Sequence, residues 1–282
     1  MGGDDGTTTA GDALMLAYAI PTRFESPDSS TVVEFDPDEG IIPDEWERRQ
    51  EVRGGIETIH GADYGYDPWG GSAPPVMPAQ ERIRALVENE RVDAVLNTLH
   101  RIGRGKLWAK LHNDDERWAW AKIETIPRMT LTAEDFQEVP FSIPFTRLSD
   151  WFAAEATVVE ETVTGNTSFI VESAGLAVTR NIVITLTANS AGGFDQPTIA
   201  NGSTVESFTI DRVAVAGEVV RIDVEAFRME HDVGNGMEDV TEDLKLGGTQ
   251  VMPISLIGGN NLIEVTGITD STVRIEFYDA WR

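Results

Sequence analysis

The chain has no cysteine and only four lysines and four histidines among 282 residues. Without thiols, disulfide staples, cysteine nucleophiles and Cys-ligated zinc are excluded. The fold must rest on apolar burial, and 282 residues at 41% hydrophobic content suffice for two domains of ordinary size. His60, His100, His112 and His231 show no H-E-x-x-H spacing, and no G-x-S-x-G elbow accompanies them, so each reads as a surface or turn residue. No run approaches the roughly 18 apolar residues of a membrane-spanning helix. The apolar run nearest the start, Ala13–Ile20, is short and follows Asp4, Asp5 and Asp12 rather than basic residues, so neither a signal peptide nor membrane insertion is expected.

Positive charge is also scarce. Lys plus Arg total 22 against 48 Asp plus Glu, a formal charge of −26. The excess is spread evenly: 15 basic against 28 acidic residues up to 152, and 7 against 20 beyond it, leave −13 in each part. Phosphate binding driven by counterion release needs clustered Lys and Arg, so sequence-reading nucleic-acid functions are not expected. A high-salt source and plain solubility both account for the acidity.

Catalytic signatures are missing too. The pairs Gly54-Gly55 and Gly70-Gly71 lack the strand-to-helix setting of a phosphate-binding loop. Glu160-Glu161, Asp114-Asp115 and Glu238-Asp239 are adjacent in sequence, which does not supply the spacing of about 5–9.5 Å that glycoside hydrolysis needs. The acidic stretch Asp232–Asp243 does not follow an EF-hand pattern and reads as a solvated loop. Asn166-Thr167-Ser168 and Asn201-Gly202-Ser203 match the glycosylation pattern but read as turns. No enzyme activity, cofactor or metal is expected.

What is present is mainly β. A first strand is expected over Leu14–Ile20 and a second over Thr31–Phe35, with Pro21, Pro27 and polar turn formers between; Asp44–Arg53 fits a short helix or strand. Residues 54–78 form a long Gly- and Pro-rich loop carrying Tyr64, Tyr66 and Trp69. Such loops are functional or disordered, and its aromatics suit either burial in a partner or folding back on their own domain. Behind Pro78, the spacing of Ile83, Leu86, Val87, Ala94, Val95, Leu99 and Ile102, closed by Gly103 and Gly105, predicts one helix over about 79–102. Lys106–His112 and Glu116–Ile126 predict a hairpin whose Trp108, Trp118 and Trp120 meet, each cross-strand contact contributing about 0.2–1 kcal/mol; a carbohydrate platform is the sharper alternative to packing. In Val139–Phe145, Pro140 and Pro144 cannot donate to a ladder, so this strand lies at an edge or pairs on one side only.

From Thr157 onward the pattern is uniformly β. Strands are expected over Thr157–Val163, Ser168–Glu172, Asn181–Thr187, Thr204–Ile210, Glu218–Phe227, Thr249–Leu256, Leu262–Val265 and Val273–Tyr278, as in a jelly-roll or galectin-like two-sheet sandwich.

Laid out in this order, the chain resembles the distal tail proteins of long-tailed bacteriophages or of related phage-derived particles. Ser173–Val178 with the strand Asn181–Thr187 resembles the family's turn and strand after the domain junction. Leu256–Val265 resembles its L-x-x-G-x-N-x-I-x-V segment, for which Gly258 and Asn260 are singled out, and Val273–Trp281 resembles its final strand with a terminal aromatic, Trp281. Val139–Phe145 with Trp151 stands where the family has its strand before the junction. The Gly-rich 54–78 segment and the Asp-rich start depart from the pattern.

The resemblance implies a strand-rich, ring-forming domain with one helix over 1–152 and a galectin-like β-sandwich over 153–282. It implies a structural virion protein of the tail tip or baseplate, assembled in the host cytoplasm. As a homohexameric ring it would join the tail tube protein to the tail-tip hub protein, and DNA would pass through the lumen without specific binding during genome ejection. Tyr64, Tyr66, Trp69, Trp108, Trp118 and Trp120 are the candidate interface residues, and acidic side chains are expected along the lumen. The alternative function is a carbohydrate-binding host-attachment module that holds surface glycan on the sandwich, where Trp281, Phe194 and Tyr278 are the aromatic candidates.

Overall fold

The computed structural model describes residues 20–49, 57–58, 65–66, 79–111, 114–125, 138–248, 250 and 252–281. The chain divides into two compact units, one ending at Ala154 and the other running Glu155–Trp281. Both are mainly β.

The first unit contains β1 (Ile20–Glu25), β2 (Val32–Glu34), β3 (Ile41–Arg49), the small pair β4 (Glu57–Thr58) and β5 (Gly65–Tyr66), β6 (Ala79–Glu88), helix α1 (Val92–Ile102), β7 (Arg104–Lys110), β8 (Glu116–Ile123), β9 (Glu138–Arg147) and β10 (Trp151–Ala153). Its sheet runs in the order β2-β1-β7-β8-β9-β6-β3, with β10 paired to β8. Of the first expected strand only Ile20 lies within the described residues. The observed strand continues through Pro21 and steps its register on β7 between Pro21 and Arg23, which accommodates the missing donor. Phe24, fully buried, then meets Phe145 edge-on at 4.9 Å. The segment around Asp44, left open between helix and strand, is strand through Arg49.

The helix expected over 79–102 forms only in its second half. Glu81, Ile83, Ala85 and Val87 are buried while Gln80, Arg82 and Arg84 are exposed, a period of two. The neighbouring Leu86 and Val87 also fit a helical repeat, so local spacing did not separate the two. The ladders decide it: β6 pairs β9 from Ala79↔Arg147 to Glu88↔Glu138 and pairs β3 on its other side. After a single 3-10 turn, α1 buries Val92, Val95, Leu99 and Ile102 at helical spacing and stops at Gly103, whose φ of 58° and N–H bond to Leu99 O (3.0 Å) end the helix.

The two prolines of β9 lie where only one neighbour pairs with it. Pro140 and Pro144 stand opposite Leu86 and Arg82 of β6, whereas β8 joins β9 only at Phe145, Thr146 and Arg147. The Pro144 carbonyl turns away from β6 and accepts from Glu124 N at 3.2 Å. Inside the unit, the Glu81 carboxylate accepts from Arg147 Nε at 2.7 Å, with both side chains almost wholly buried.

The second unit is a two-sheet sandwich. Its strands are β11 (Thr157–Val163), β12 (Thr167–Ser173), β13 (Ile182–Ala188), β14 (Phe194–Asn201), β15 (Glu206–Ile210), β16 (Val213–Ala214), β17 (Val219–Asp223), β18 (Arg228–Asp232), β19 (Met237–Asp239), β20 (Leu244–Leu246), β21 (Gly259–Ile268), β22 (Ser271–Phe277) and β23 (Ala280–Trp281). One sheet runs β11-β22-β13-β17-β18-β19; the other runs β12-β21-β14-β15-β20, with β16 on β14. Strict alternation sends Ile182, Ile184, Leu186, Val273, Ile275, Phe277, Ile263 and Val265 into one core, where each large apolar side chain contributes about 1.5–3 kcal/mol.

Four expectations for this unit change. The stretch Asp232–Asp243, expected as a solvated loop, carries β19, paired to β18, and a 3-10 turn over Thr241–Asp243. Glu218–Phe227 is the first arm of a hairpin and its turn rather than one strand: Ala226 N donates to Asp223 Oδ1 (2.9 Å) and Phe227 takes φ 50°, so Asp223 faces Arg228. Within Thr249–Leu256, residues 249 and 251 lie outside the described residues, and the remainder makes a single bridge, Thr179↔Leu256; the strand in this region is Leu244–Leu246. Strand Phe194–Asn201 was not expected, because Gln196 at φ 46° and Pro197 break its alternation and shift its register on β21 between Phe194 and Thr198.

Candidate functional site

The β7–β8 hairpin brings the three expected tryptophans together on one sheet face. A register row crosses five strands as Glu34, Arg23, Trp108, Trp118 and Phe152. Ring centroids lie 6.4 Å apart for Trp108 and Trp118, 4.8 Å for Trp118 and Phe152, and 5.5 Å for Trp118 and Trp120. Cations cover the rings: Arg23 lies 4.0 Å over Trp108, Lys106 5.2 Å over Trp118 and Arg104 5.6 Å over Trp120, each contact contributing about 0.5–2 kcal/mol according to its desolvation. Trp108 and Trp118 are 8% and 3% exposed, so within the chain they are packed side chains; Trp120 is half-buried. The indole N–H groups of Trp108 and Trp120 find no acceptor among the described residues. Tyr66 lies on β5 opposite Glu57; its side chain, together with Tyr64 and Trp69, lies outside the described residues.

Acids are threaded into this face. Buried Glu25 lies 3.5 Å from Arg23 and 3.7 Å from Lys106, and Arg23 also reaches Glu116 at 3.4 Å. Partial burial raises the Glu34 carboxyl above its ordinary value, opposed by Arg23 and reinforced by Glu25. Asp28, in the β1–β2 turn, moves the other way, lowered to about 2 by hydrogen bonds from Ser26 Oγ (2.5 Å), Ser30 Oγ (2.8 Å) and Ser30 N (3.1 Å).

In the second unit the segments that carry the family resemblance converge. Asp279, 7% exposed, accepts from Ser173 Oγ at 2.7 Å, Gly175 N at 3.3 Å and Thr157 Oγ1 at 3.2 Å. Beside it Leu176 N and Ala177 N donate to Ala280 O, both at 2.9 Å. Gly258 closes the group: a Cβ there would stand 2.3 Å from Gly175 O, so no larger residue fits without displacing backbone. Nearby, fully buried Asn261 donates to Ile257 O (2.8 Å), Gly259 O (3.1 Å) and Val171 O (3.3 Å), and accepts from Ile257 N (2.9 Å) and Asn201 Nδ2 (3.1 Å).

Asn260 is exposed and offers its backbone carbonyl to Ser203 Oγ. The spacing L-x-x-G-x-N-x-I-x-V therefore falls on Leu256, Gly259, Asn261, Ile263 and Val265, one residue beyond the pair singled out from sequence. Asp279 was missed altogether; the signal for it was a lone acid between the apolar Phe277 and Ala280-Trp281.

The outer face of the β11–β19 sheet carries a mostly charged row, with Glu160, Arg274, Thr185, Arg221, Glu230 and Asp239 in one register. Arg221 pairs Glu230 at 3.3 Å and Arg274 pairs Glu276 at 2.7 Å. Phe194, expected as an exposed aromatic for sugar, is fully buried because it anchors β14 in the core; Tyr278 and Trp281 are half-buried. His231 is buried 3.4 Å from Glu218, His100 is exposed on α1, and His60 and His112 lie outside the described residues. Among the described residues no group of three or more His, Asp or Glu is placed to hold a metal ion.

No protein-family model matches the chain, and no curated protein does. A solved structure does: SPP1 Dit (gp 19.1), described as a paradigm of the hub adsorption apparatus in Gram-positive infecting phages, aligns with a TM-score of 0.52 at 18% identity over 84% of this chain and 91% of that one. The two proteins share a fold. Neither unit alone amounts to 84% of 282 residues, so the likeness to SPP1 Dit draws on both.

Proposed function

We propose that the protein is a structural subunit of the distal end of a phage-type tail. Copies close into a homohexameric ring between the tail tube and the tail-tip hub, the first unit forming the ring and the sandwich projecting from it. DNA passes through an acid-lined lumen without specific binding. The observation that carries this reading is the fold shared with SPP1 Dit across both units. Among the described strands, β3 ends the first unit's sheet order and β11 and β12 each end a sheet of the second. Such open edges are aggregation hazards unless a neighbour or a charge ladder covers them. Light scattering of the full chain over a wide concentration range, with electron micrographs of the same sample, tests the proposal. Rings of uniform size are the expected result. A strictly monomeric protein that also forms no ring with tube or hub subunits overturns it.

A further inference from the structure

The β7–β8 hairpin gathers positive charge in a chain whose formal charge is −26. Three of the four lysines, Lys106, Lys110 and Lys122, lie on it and share with Arg104 the face of the tryptophans. Lys106 is answered by Glu25 at 3.7 Å and Lys110 by Asp114 at 2.9 Å. Arg104 and Lys122 differ: the register sets them directly opposite each other, both are exposed, and among the described residues neither forms an ion pair. The next position in the row, opposite Lys122 on β9, is Thr146, whose hydroxyl bonds the carboxylate of Glu124.

Like charges directly opposed across an antiparallel ladder weaken it, and an acid at either position would turn the repulsion into attraction. Acids outnumber bases by more than two to one in this chain, so composition does not favour such a pair. The Arg104 guanidinium also lies 5.6 Å from the Trp120 ring centroid, and Arg and Trp are among the residues that most often anchor an interface.

We infer that Arg104, Lys122 and Trp120 form a docking point for an acidic segment of a second copy of this chain. The partner copy brings the same surplus of carboxylates, and a contact between one copy's cationic strip and another copy's acidic surface is heterologous, the kind that repeats around a ring. The inference rests on the ring reading above and deepens it: the strip is covered at the subunit contact, and the lumen keeps its acidic lining.

The test compares wild type with Lys122→Glu in the full chain, using light scattering against concentration at low and high salt, and thermal unfolding. The expected result has opposite signs. Lys122→Glu relieves the repulsion and raises the melting midpoint of the subunit under dissociating conditions, while weakening assembly about tenfold or more and removing most of its salt dependence. Arg104→Glu does the same from the facing strand, so an accidental folding defect in one variant does not decide the matter. If wild type assembles and both variants assemble equally well with unchanged salt dependence, the inference is overturned while the ring reading stands. If wild type never assembles, both fall. If wild type binds a DNA duplex that both variants lose, with assembly unchanged, the strip serves nucleic acid and the inference is overturned.

Discussion

Replacing Glu81 perturbs the most deeply buried charge pair among the described residues. Its carboxylate receives Arg147 Nε at 2.7 Å, and the two side chains are 1% and 3% exposed. Among the described residues Arg147 otherwise bonds only Ser149 O, at 2.7 Å, and lies 5.6 Å over the Trp151 ring. In Glu81→Ala a guanidinium that does not deprotonate stays buried with one carbonyl and one ring for company, a loss of about 3–5 kcal/mol. Glu81→Gln also removes the counter-charge but keeps an acceptor for Nε–H, so its loss is the smaller, about 1.5–3 kcal/mol. Replacing both partners by apolar residues of similar volume is expected to be neutral or stabilising by about 1–4 kcal/mol.

Urea unfolding followed by tryptophan fluorescence suits this measurement, because six of the seven tryptophans precede Ala154 and only Trp281 lies in the second unit. With a slope of about 2 kcal/mol/M, Glu81→Ala moves the fluorescence midpoint down by about 2 M. The far-UV signal of the second unit should keep its own midpoint, since the units need not unfold in one step. A shift below about 0.5 M, or an apolar double variant as unstable as Glu81→Ala, would refute the reasoning that an uncompensated buried charge sets the loss.

Other outcomes follow from the second unit and the β1–β2 turn. Asn261→Ala strips partners from several buried groups and should cost about 2–4 kcal/mol, against about 0.5 kcal/mol or less for exposed Asn260→Ala, by calorimetry of the two variants. Gly258→Ala forces a methyl into Gly175 O and should destabilise by about 1–3 kcal/mol, which the second unit's melting midpoint reports. The Asp28 carboxyl should titrate near the value of about 2 by NMR; folded below its ordinary 3.8, it contributes stability above 3.8 that disappears as the pH falls toward 2. Glu34 has the opposite sign: its folded value lies above 4.5, so from there upward the folded chain holds the proton more tightly and stability declines as pH rises through the raised value.

The sandwich was largely legible in sequence because its strands carry unbroken alternation: Ile182 to Ala188 and Ser271 to Phe277 each bury every second residue. Legibility failed where local spacing is ambiguous or interrupted. Ala79–Glu88 satisfies two periods at once, and only its pairing with β9 and β3 selects the strand. Phe194–Asn201 carries a positive-φ Gln196 and Pro197, which hide a core strand behind turn chemistry. The tryptophan cluster was readable because the hairpin register follows from its turn. The cations above it were not, since stacking on a ring leaves no mark in spacing. The role of Asp279 was hidden for a different reason: its partners lie 122, 106 and 104 residues away in the chain.

The pairing of β11 with β22, from Thr157↔Phe277 to Val163↔Ser271, has a consequence for biosynthesis. The first strand of the sandwich meets its partner only after more than a hundred further residues have left the ribosome, and Asp279 cannot fasten Thr157 before then. A nascent chain stalled ahead of Ser271 carries β11 without its partner and β13 with one edge open, the state in which strands capture those of neighbouring chains. The sandwich therefore cannot close before translation has passed Phe277.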